Sequence, residues 1–242
     1  MAQSILITGA SSEIGRGIAL ELASGGASIA LHCNQNLQAI TELQPLLTAR
    51  GCASHVMRYD LTHPDQAQSM IDEVIGVFGH LDVLINVVGP FHYHDITEMT
   101  PDEWQEAIAL NLHTCFNVTY HAQPYLCESR GHIVNFAFAG VENIKAWPLS
   151  AAYCAAKAGI AILTKTWAAA LAPKGVRVNA ICPGLVEEGA VTEAERKRMA
   201  EQIPLGRPVR PQEIAATVKW LVTESPASMI GSLIAVSGAW EY

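Results

Sequence analysis

Charge is scarce in this 242-residue sequence. Only 16% of residues are charged, and 15 Lys+Arg against 23 Asp+Glu leave a net charge of −8. The shortage of basic residues argues against nucleic acid and anionic membrane as main partners, because both are bound through a basic face. No apolar run approaches the roughly 18 residues of a membrane span, so no membrane association is expected. The start, Met1-Ala-Gln-Ser-Ile-Leu-Ile-Thr-Gly9, lacks the basic region of a secretory signal. Cysteine pairs are missing as well. Cys33, Cys52, Cys115, Cys127, Cys154 and Cys182 form no C-x-x-C and no metal-ligand spacing. They read as buried free thiols of a reducing, cytoplasmic compartment, with no metal site expected. There is no internal repeat, low-complexity tract or interdomain linker, so residues 1–242 read as one domain.

What the chain has is apolar content. Half of its residues are hydrophobic, enough for a large core and far from the composition of a disordered chain. Short apolar runs alternate with stretches of helical period. Strands are predicted at Ser4–Thr8, Ser28–Cys33, Ala53–Arg58, Leu81–Asn86, Ile133–Ala137, Val176–Ile181 and Leu233–Val236. Between them, helices are predicted at Ile14–Ala23, Leu37–Arg50, Pro64–Phe78, Pro101–Leu126, Ala151–Leu171 and from Pro211 to near Val222. Thr100-Pro-Asp-Glu103 is an N-cap followed by Pro and two acids, a strong helix start. This alternation predicts an α/β fold, one doubly wound Rossmann-type parallel sheet with helices on both faces. Ligands then sit at the carboxyl ends of the strands, where strand order reverses.

The segment Thr8-Gly-Ala-Ser-Ser-Glu-Ile-Gly15 joins the first strand to the first helix. Glycines there allow close backbone approach to a pyrophosphate, and helix N–H groups point at it. Tyr153 and Lys157 lie four apart on a predicted helix and share a face. An ammonium beside a phenol favours the phenolate and is expected to lower the tyrosine pKa. The flanking residues, Ala151-Ala-Tyr-Cys-Ala-Ala-Lys-Ala-Gly159, are too small and apolar for a solvated face.

Taken in order along nearly the whole chain, these segments resemble the short-chain dehydrogenase/reductase family. Thr8, Gly9 and Gly15 match its T-G-x-x-x-G-x-G motif, with Glu13 at the middle glycine. Asp60-Leu61 matches its adenine-binding pair, and Asn86-Val-Val-Gly89 is similar to its N-N-A-G turn. Asn111 matches its helical Asn, Tyr153-Cys-Ala-Ala-Lys157 its Y-x-x-x-K motif, and Asn179-Ala-Ile-Cys-Pro-Gly184 its N-A-x-x-P-G segment. Ile230-Gly231 and Val236-Ser-Gly238 resemble its C-terminal strand.

The resemblance implies a nicotinamide-dependent oxidoreductase acting on a carbonyl/alcohol pair, most similar to 3-oxoacyl-carrier-protein reductases. It implies Tyr153 as acid/base, Lys157 as its partner and ribose ligand, and Asn111 as holder of a relay water. Cofactor contacts are implied at Gly9, Ser11, Ser12, Ile14 and Gly15 in the first loop, and at Asn34, Asp60, Leu61, Asn86 and Gly89 along the strand ends. Pro183, Gly184 and Val186, together with Tyr153 and Lys157, complete that set. The two long helices are the family's subunit interface, which implies a homotetramer.

Several departures stand out. The family's N-x-S-S-x-x-G carries a catalytic Ser; here the chain reads Asn135-Phe-Ala-Phe-Ala-Gly140, and Gly131–Leu149 contains no Ser, Thr or Tyr. Counting forward from Asn135 puts Phe138 at the Ser position; counting back from Gly140 puts Ala137 there. Substitute donors are sought at Glu142, Asn143, His92 and His94. Glu188 stands where a Thr commonly binds the nicotinamide amide, and the charged run Thr192–Glu201 reads as a helix, either solvated or a lid. Phe91-His-Tyr-His94 is expected near the substrate or at an interface, and His113 and His121 in packing. His32-Cys-Asn-Gln35 has no acid to repel a 2′-phosphate, so NADP(H) is favoured over NAD(H), although no Arg or Lys lies in that stretch. Leu31-His-Cys-Asn34 and the lost Ser also resemble pteridine reductases, and a catalytically weak dinucleotide-binding regulator is a further alternative.

Overall fold

The computed structural model describes residues 3–24, 26–187 and 192–240. Seven parallel strands form a sheet in the order β3-β2-β1-β4-β5-β6-β7. They are β1 Ser4–Thr8, β2 Ser28–Cys33, β3 Ala53–Arg58, β4 Val83–Asn86, β5 His132–Phe136, β6 Arg177–Pro183 and β7 Leu233–Val236. The expected α/β doubly wound sheet is present. Every residue of β1, β4 and β5 is buried, as parallel strands covered on both faces must be. Strand order reverses between β1 and β4, which pair Thr8 with Asn86 at their carboxyl ends. A cleft opens there.

Helices cover both faces. One core packs α1 (Glu13–Leu22) and α9 (Pro211–Thr223) on the sheet through Ile18, Leu22, Ile214 and Leu221. The other packs α4 (Pro64–Phe78) and α6 (Thr114–Ser129) through Met70, Val74, Val118 and Leu126. Gly79 ends α4 with φ 79°, the left-handed conformation glycine adopts without strain. A long α7 (Ala151–Leu171) and a short charged α8 (Glu193–Ala200) complete the chain with the helices below. Among the described residues, no helix is long and apolar enough to cross a membrane.

Two expected helices are broken. The stretch 37–50 forms α2 (Leu37–Thr41) and α3 (Gln44–Thr48), because Pro45 sits in the first turn of α3 and cannot donate into a continuing helix. The stretch 101–126 begins as expected: the Thr100 hydroxyl accepts from the Glu103 N–H at 3.3 Å, and the Thr100 N–H donates to the Glu103 carboxylate at 2.7 Å. After α5 (Pro101–Ile108) a π-helical turn occupies Ala109–His113 before α6 resumes. Such turns mark an inserted residue and recur at functional sites. Here the inserted turn carries Asn111.

Candidate active site

A cavity of about 700 Å³ opens at the carboxyl ends of β4, β5 and β6, walled on one side by the first turns of α7. Tyr153 and Lys157 both line it, as their shared helix face requires. Lys157 is 2% exposed and donates to the Phe136 carbonyl at 3.0 Å. Burial pushes its ammonium down to about 8, against the opposing pull of Cys115 and Cys182. Its nitrogen is 5.6 Å from the centre of the Tyr153 ring. The expected lowering of the Tyr153 pKa is not what the protein alone produces. Burial, with Cys154 and Cys182 adding to it, pushes the phenol well above its ordinary range.

Asn111 is fully buried, and its Nδ2 donates to the carbonyls of Ala107 and Pro90 at 3.0 and 3.2 Å. Its Oδ1 has no partner. A Cβ built on Gly89 would lie 2.5 Å from that oxygen and 2.6 Å from the Lys157 nitrogen. A small polar space is therefore kept open by a glycine between an orphan acceptor and an ammonium.

The glycine loop is shaped for close approach. Gly9 has φ 66°, and a Cβ on Gly15 would lie 2.4 Å from the Gly9 carbonyl oxygen. The Ser12 hydroxyl accepts from the Gly15 N–H at 3.0 Å and donates to the Gly9 carbonyl at 2.9 Å, so it holds the loop. Ser11 lies half-buried in the loop, and Ile14 and Gly89 line the cavity. Glu13 is exposed at the start of α1.

At the far end of the cleft, the Asp60 carboxylate accepts from the Thr62 N–H and hydroxyl at 3.0 and 2.7 Å. Burial alone would raise its pKa, but those hydrogen bonds outweigh it and hold the group below its usual range. Leu61 is buried in the α4/α6 core and offers its main chain to the Asn117 amide at 3.0 Å. Pro183, Gly184 and Val186 border the cavity at the end of β6. A Cβ on Gly184 would meet Ser237 at 2.8 Å, which keeps the two backbones in contact.

Two polar residues at the strand ends are tied to the protein itself. Asn86 turns its amide inward to Asn135 and Thr119, at 2.9 and 3.1 Å, and so braces the strand ends rather than reaching into the cleft. His32 is 1% exposed; its Nε2 faces the Tyr59 carbonyl at 2.9 Å, and its Nδ1 accepts from the Gly9 N–H at 3.4 Å. Burial lowers it to about 4. It is a neutral brace of the glycine loop and has no nitrogen left for a ligand.

The sought substitutes for serine lie elsewhere. Glu142 pairs with Lys165 at 3.4 Å on the outer face of α7, and Asn143 lines a separate cavity of about 270 Å³. His94 pairs with Glu103 at 3.6 Å, and His92 is half-buried with its Nδ1 3.2 Å from the Pro90 carbonyl. Ala137 and Phe138 are buried in the cavity wall. Phe138 stands 6.2 Å from Tyr153, ring centre to ring centre, and Phe91 stands edge-on to Tyr153 at 5.0 Å. Phe91 and Tyr93 thus belong to the wall, which is overwhelmingly apolar. Glu188 lies outside the described residues. Among the described residues, no group of three His, Cys, Asp or Glu could hold a metal.

Two further residues, one in the cavity lining and one beside the end of β2, were marked by no motif. Ser150 lines the cavity three residues before Tyr153. Arg58 is brought beside the end of β2 by the register Cys33↔Arg58, and its Nε donates to the Asn34 carbonyl at 3.0 Å. The first sits one residue past the hydroxyl-free stretch. The second is separated from Asn34 by 24 positions, and only strand pairing joins them.

A family model described as enoyl-(acyl carrier protein) reductase matches residues 9–240. The chain is 34% identical over 242 residues to the 3-oxoacyl-[acyl-carrier-protein] reductase of Staphylococcus aureus, covering 98% of each. It is 32% identical to nodulation protein G of Azospirillum brasilense, covering 100% of each. Among solved structures, a dehydrogenase/reductase from Sinorhizobium meliloti superposes with a TM-score of 0.91 at 27% identity, covering 99% of this chain and 95% of that one. A short-chain type dehydrogenase/reductase from Mycobacterium marinum gives 0.90 at 29% identity, covering 98% and 95%.

Proposed function

The chain belongs to the short-chain dehydrogenase/reductase family, and from that premise we propose that it is a cytoplasmic, NADP(H)-dependent oxidoreductase acting on a carbonyl/alcohol pair carried by an apolar body. The observation that carries this reading is the cavity in which the half-buried Tyr153 and the buried Lys157 meet within an aromatic wall. The residues present fit a nicotinamide dinucleotide. The Gly9–Gly15 loop would take the pyrophosphate, Asp60 and the Leu61 main chain the adenine, and Lys157 the nicotinamide ribose. A bound reduced nicotinamide supplies the hydride.

The protein's own part is the oxygen chemistry. Tyr153 gives its proton to the substrate oxygen as hydride reaches the carbon, or takes it back in the reverse direction. Lys157 stabilises the phenolate left behind. The polar space between Asn111, Gly89 and Lys157 suits a water that returns a proton toward Tyr153.

NADP(H) is supported by Arg58, a cation held beside the end of a β2 that carries no acid, where it would attract a ribose 2′-phosphate. The wall supports an apolar substrate. A pterin needs several polar partners, and a wall built of Phe91, Phe138, Trp147 and Trp240 offers few. The 3-oxoacyl thioesters named for the relatives satisfy the same chemistry as other apolar ketones. The test is consumption of NADPH with 3-oxoacyl thioesters, aryl ketones, aliphatic ketones and pterins, using the wild type and Tyr153→Phe. Turnover of an apolar ketone that drops at least about 100-fold in Tyr153→Phe supports the proposal. Undiminished turnover in that variant overturns it.

A further inference from the structure

Ser150 occupies the cap position of α7, with φ −151° and ψ 29°, yet its side chain makes no capping hydrogen bond. A serine there ordinarily accepts from an N–H of the first helical turn. Instead its hydroxyl is 3.5 Å from the Cys154 sulfur, a weak sulfur hydrogen bond in which either group can donate. The residue is 9% exposed, and the surface it retains faces the cavity that Tyr153 and Lys157 also line. Side chains of a helix lean toward its N-terminus, so Tyr153 reaches back over the turn that Ser150 opens. The backbone around Ser150 is fixed. Its N–H donates to the Trp147 carbonyl at 3.2 Å, and the neighbouring Leu149 carbonyl accepts from the His94 N–H at 2.8 Å.

We propose that Ser150 is a catalytic residue, the second hydrogen-bond donor to the substrate oxygen, working beside Tyr153 from a place in the chain where the family pattern has no such role. This rests on the carbonyl/alcohol reading above. The wall segment that should carry a hydroxyl holds Ala137 and Phe138, and Phe138 fills that space with a ring. The Ser150 hydroxyl, lining the same cavity, supplies the donor while its oxygen accepts from the Cys154 thiol. In the reduction, hydride from the nicotinamide forms the new C–H bond, the carbonyl π pair moves to oxygen, and the Tyr153 proton completes the O–H bond. Ser150 keeps its own proton throughout and stabilises the negative charge that develops on that oxygen.

The experiment uses full-length protein with an aryl ketone, 1-phenylpropane-1,2-dione, as probe. Turnover is measured for the wild type, Ser150→Ala and Ser150→Thr. In parallel, infrared spectra record the carbonyl stretch of the ketone bound in the dead-end complex with NADP⁺. Ser150→Ala is expected to lose about 10²–10³ in kcat/KM, while Ser150→Thr keeps most of the activity. The bound carbonyl stretch should move to higher frequency in Ser150→Ala, and NADPH affinity and thermal midpoint should stay near wild type. Unchanged turnover and an unmoved carbonyl band in Ser150→Ala overturn the assignment and leave Tyr153 as sole donor. A rate loss without a band shift overturns it too, since the serine would then act through structure alone. A wild type that neither turns over nor binds any ketone of the panel overturns the carbonyl reading itself, and this assignment with it.

Discussion

Asn111 and Lys157 aim their polar ends at one point, the place where a side chain on Gly89 would be. Asn111 reaches that point from a π-helical turn and Lys157 from α7, two elements that the sequence separates by some 40 positions. The turn explains the convergence. Without the inserted residue the Asn111 amide would rotate around the helix and lose its bonds to Ala107 and Pro90.

Gly89→Ala tests that arrangement. The new methyl would lie within 2.6 Å of both groups, and the residue's φ of 154° is one that side chains rarely adopt. The variant is expected to lose about 1–3 kcal/mol of stability and to fall at least about 100-fold in kcat, because the polar space closes. Chemical denaturation and steady-state rates check the two effects separately. A fully active Gly89→Ala would show that the space has no part in proton return.

Arg58 gives a prediction about the cofactor. Arg58→Ala is expected to weaken NADPH binding about 10- to 100-fold, the scale of one charge-assisted contact to phosphate. NADH binding should hardly change. Titration of the reduced cofactors by their own fluorescence reads this without turnover. An equal effect on both cofactors would remove Arg58 from the 2′-phosphate, and tighter binding of NADH than NADPH in the wild type would remove the NADP(H) preference altogether.

Arg58 also shows which part of the site a sequence can express. The fold was legible because the central strands announce themselves as short, mostly apolar runs, and strand-like runs recur seven times along the chain. Tyr153, Lys157 and Asn111 were legible because motif spacing holds them on helices. Arg58 was not, since strand register joins it to Asn34 and no local pattern encodes that register. His32 and Asn86 show a related limit. A polar residue at a strand end can face the cleft or the interior, and the tie that decides it, Tyr59 for one and Asn135 for the other, lies far along the chain. The π turn was hidden by its own composition, since Ala109-Leu-Asn-Leu-His113 reads as ordinary helix.

Assembly is the next expectation. Phe116 and Tyr120 on α6 stack at 6.0 Å, and Trp167 on α7 lies 6.3 Å from Phe116. Phe116 is 42% exposed, Tyr120 52% and Ile162 66%. An aromatic strip of this kind suits burial against a second copy better than water. Light scattering at micromolar concentration is expected to give a homotetramer, about 104 kDa from four chains of 26.0 kDa. Phe116→Asp and Ile162→Asp should lower that mass, and a monomeric wild type would contradict the expectation.

The last prediction concerns acid. His32 has its pKa lowered to about 4 by burial, with the Tyr59 carbonyl and the charge of Asp60 pulling weakly the other way. An unfolded histidine titrates near 6.5. Between these values the unfolded chain binds a proton that the folded chain refuses, so stability rises with pH through this window. The contribution is therefore complete above about 6.5 and is lost as pH falls toward 4. The full span of the shift corresponds to about 3 kcal/mol. His132 adds a loss of the same sign, since burial first and Arg177 second lower it to about 3. His32→Gln cannot take up a proton in either state, and its amide can still donate to the Tyr59 carbonyl. The variant is expected to be less stable at neutral pH, because Gly9 loses its acceptor, but to show a shallower decline in unfolding free energy between pH 6.5 and 4. Urea titrations at half-unit pH steps read that slope. An identical slope in wild type and His32→Gln would mean that His32 is protonated in the folded protein, and the brace on the glycine loop would then have to be drawn differently.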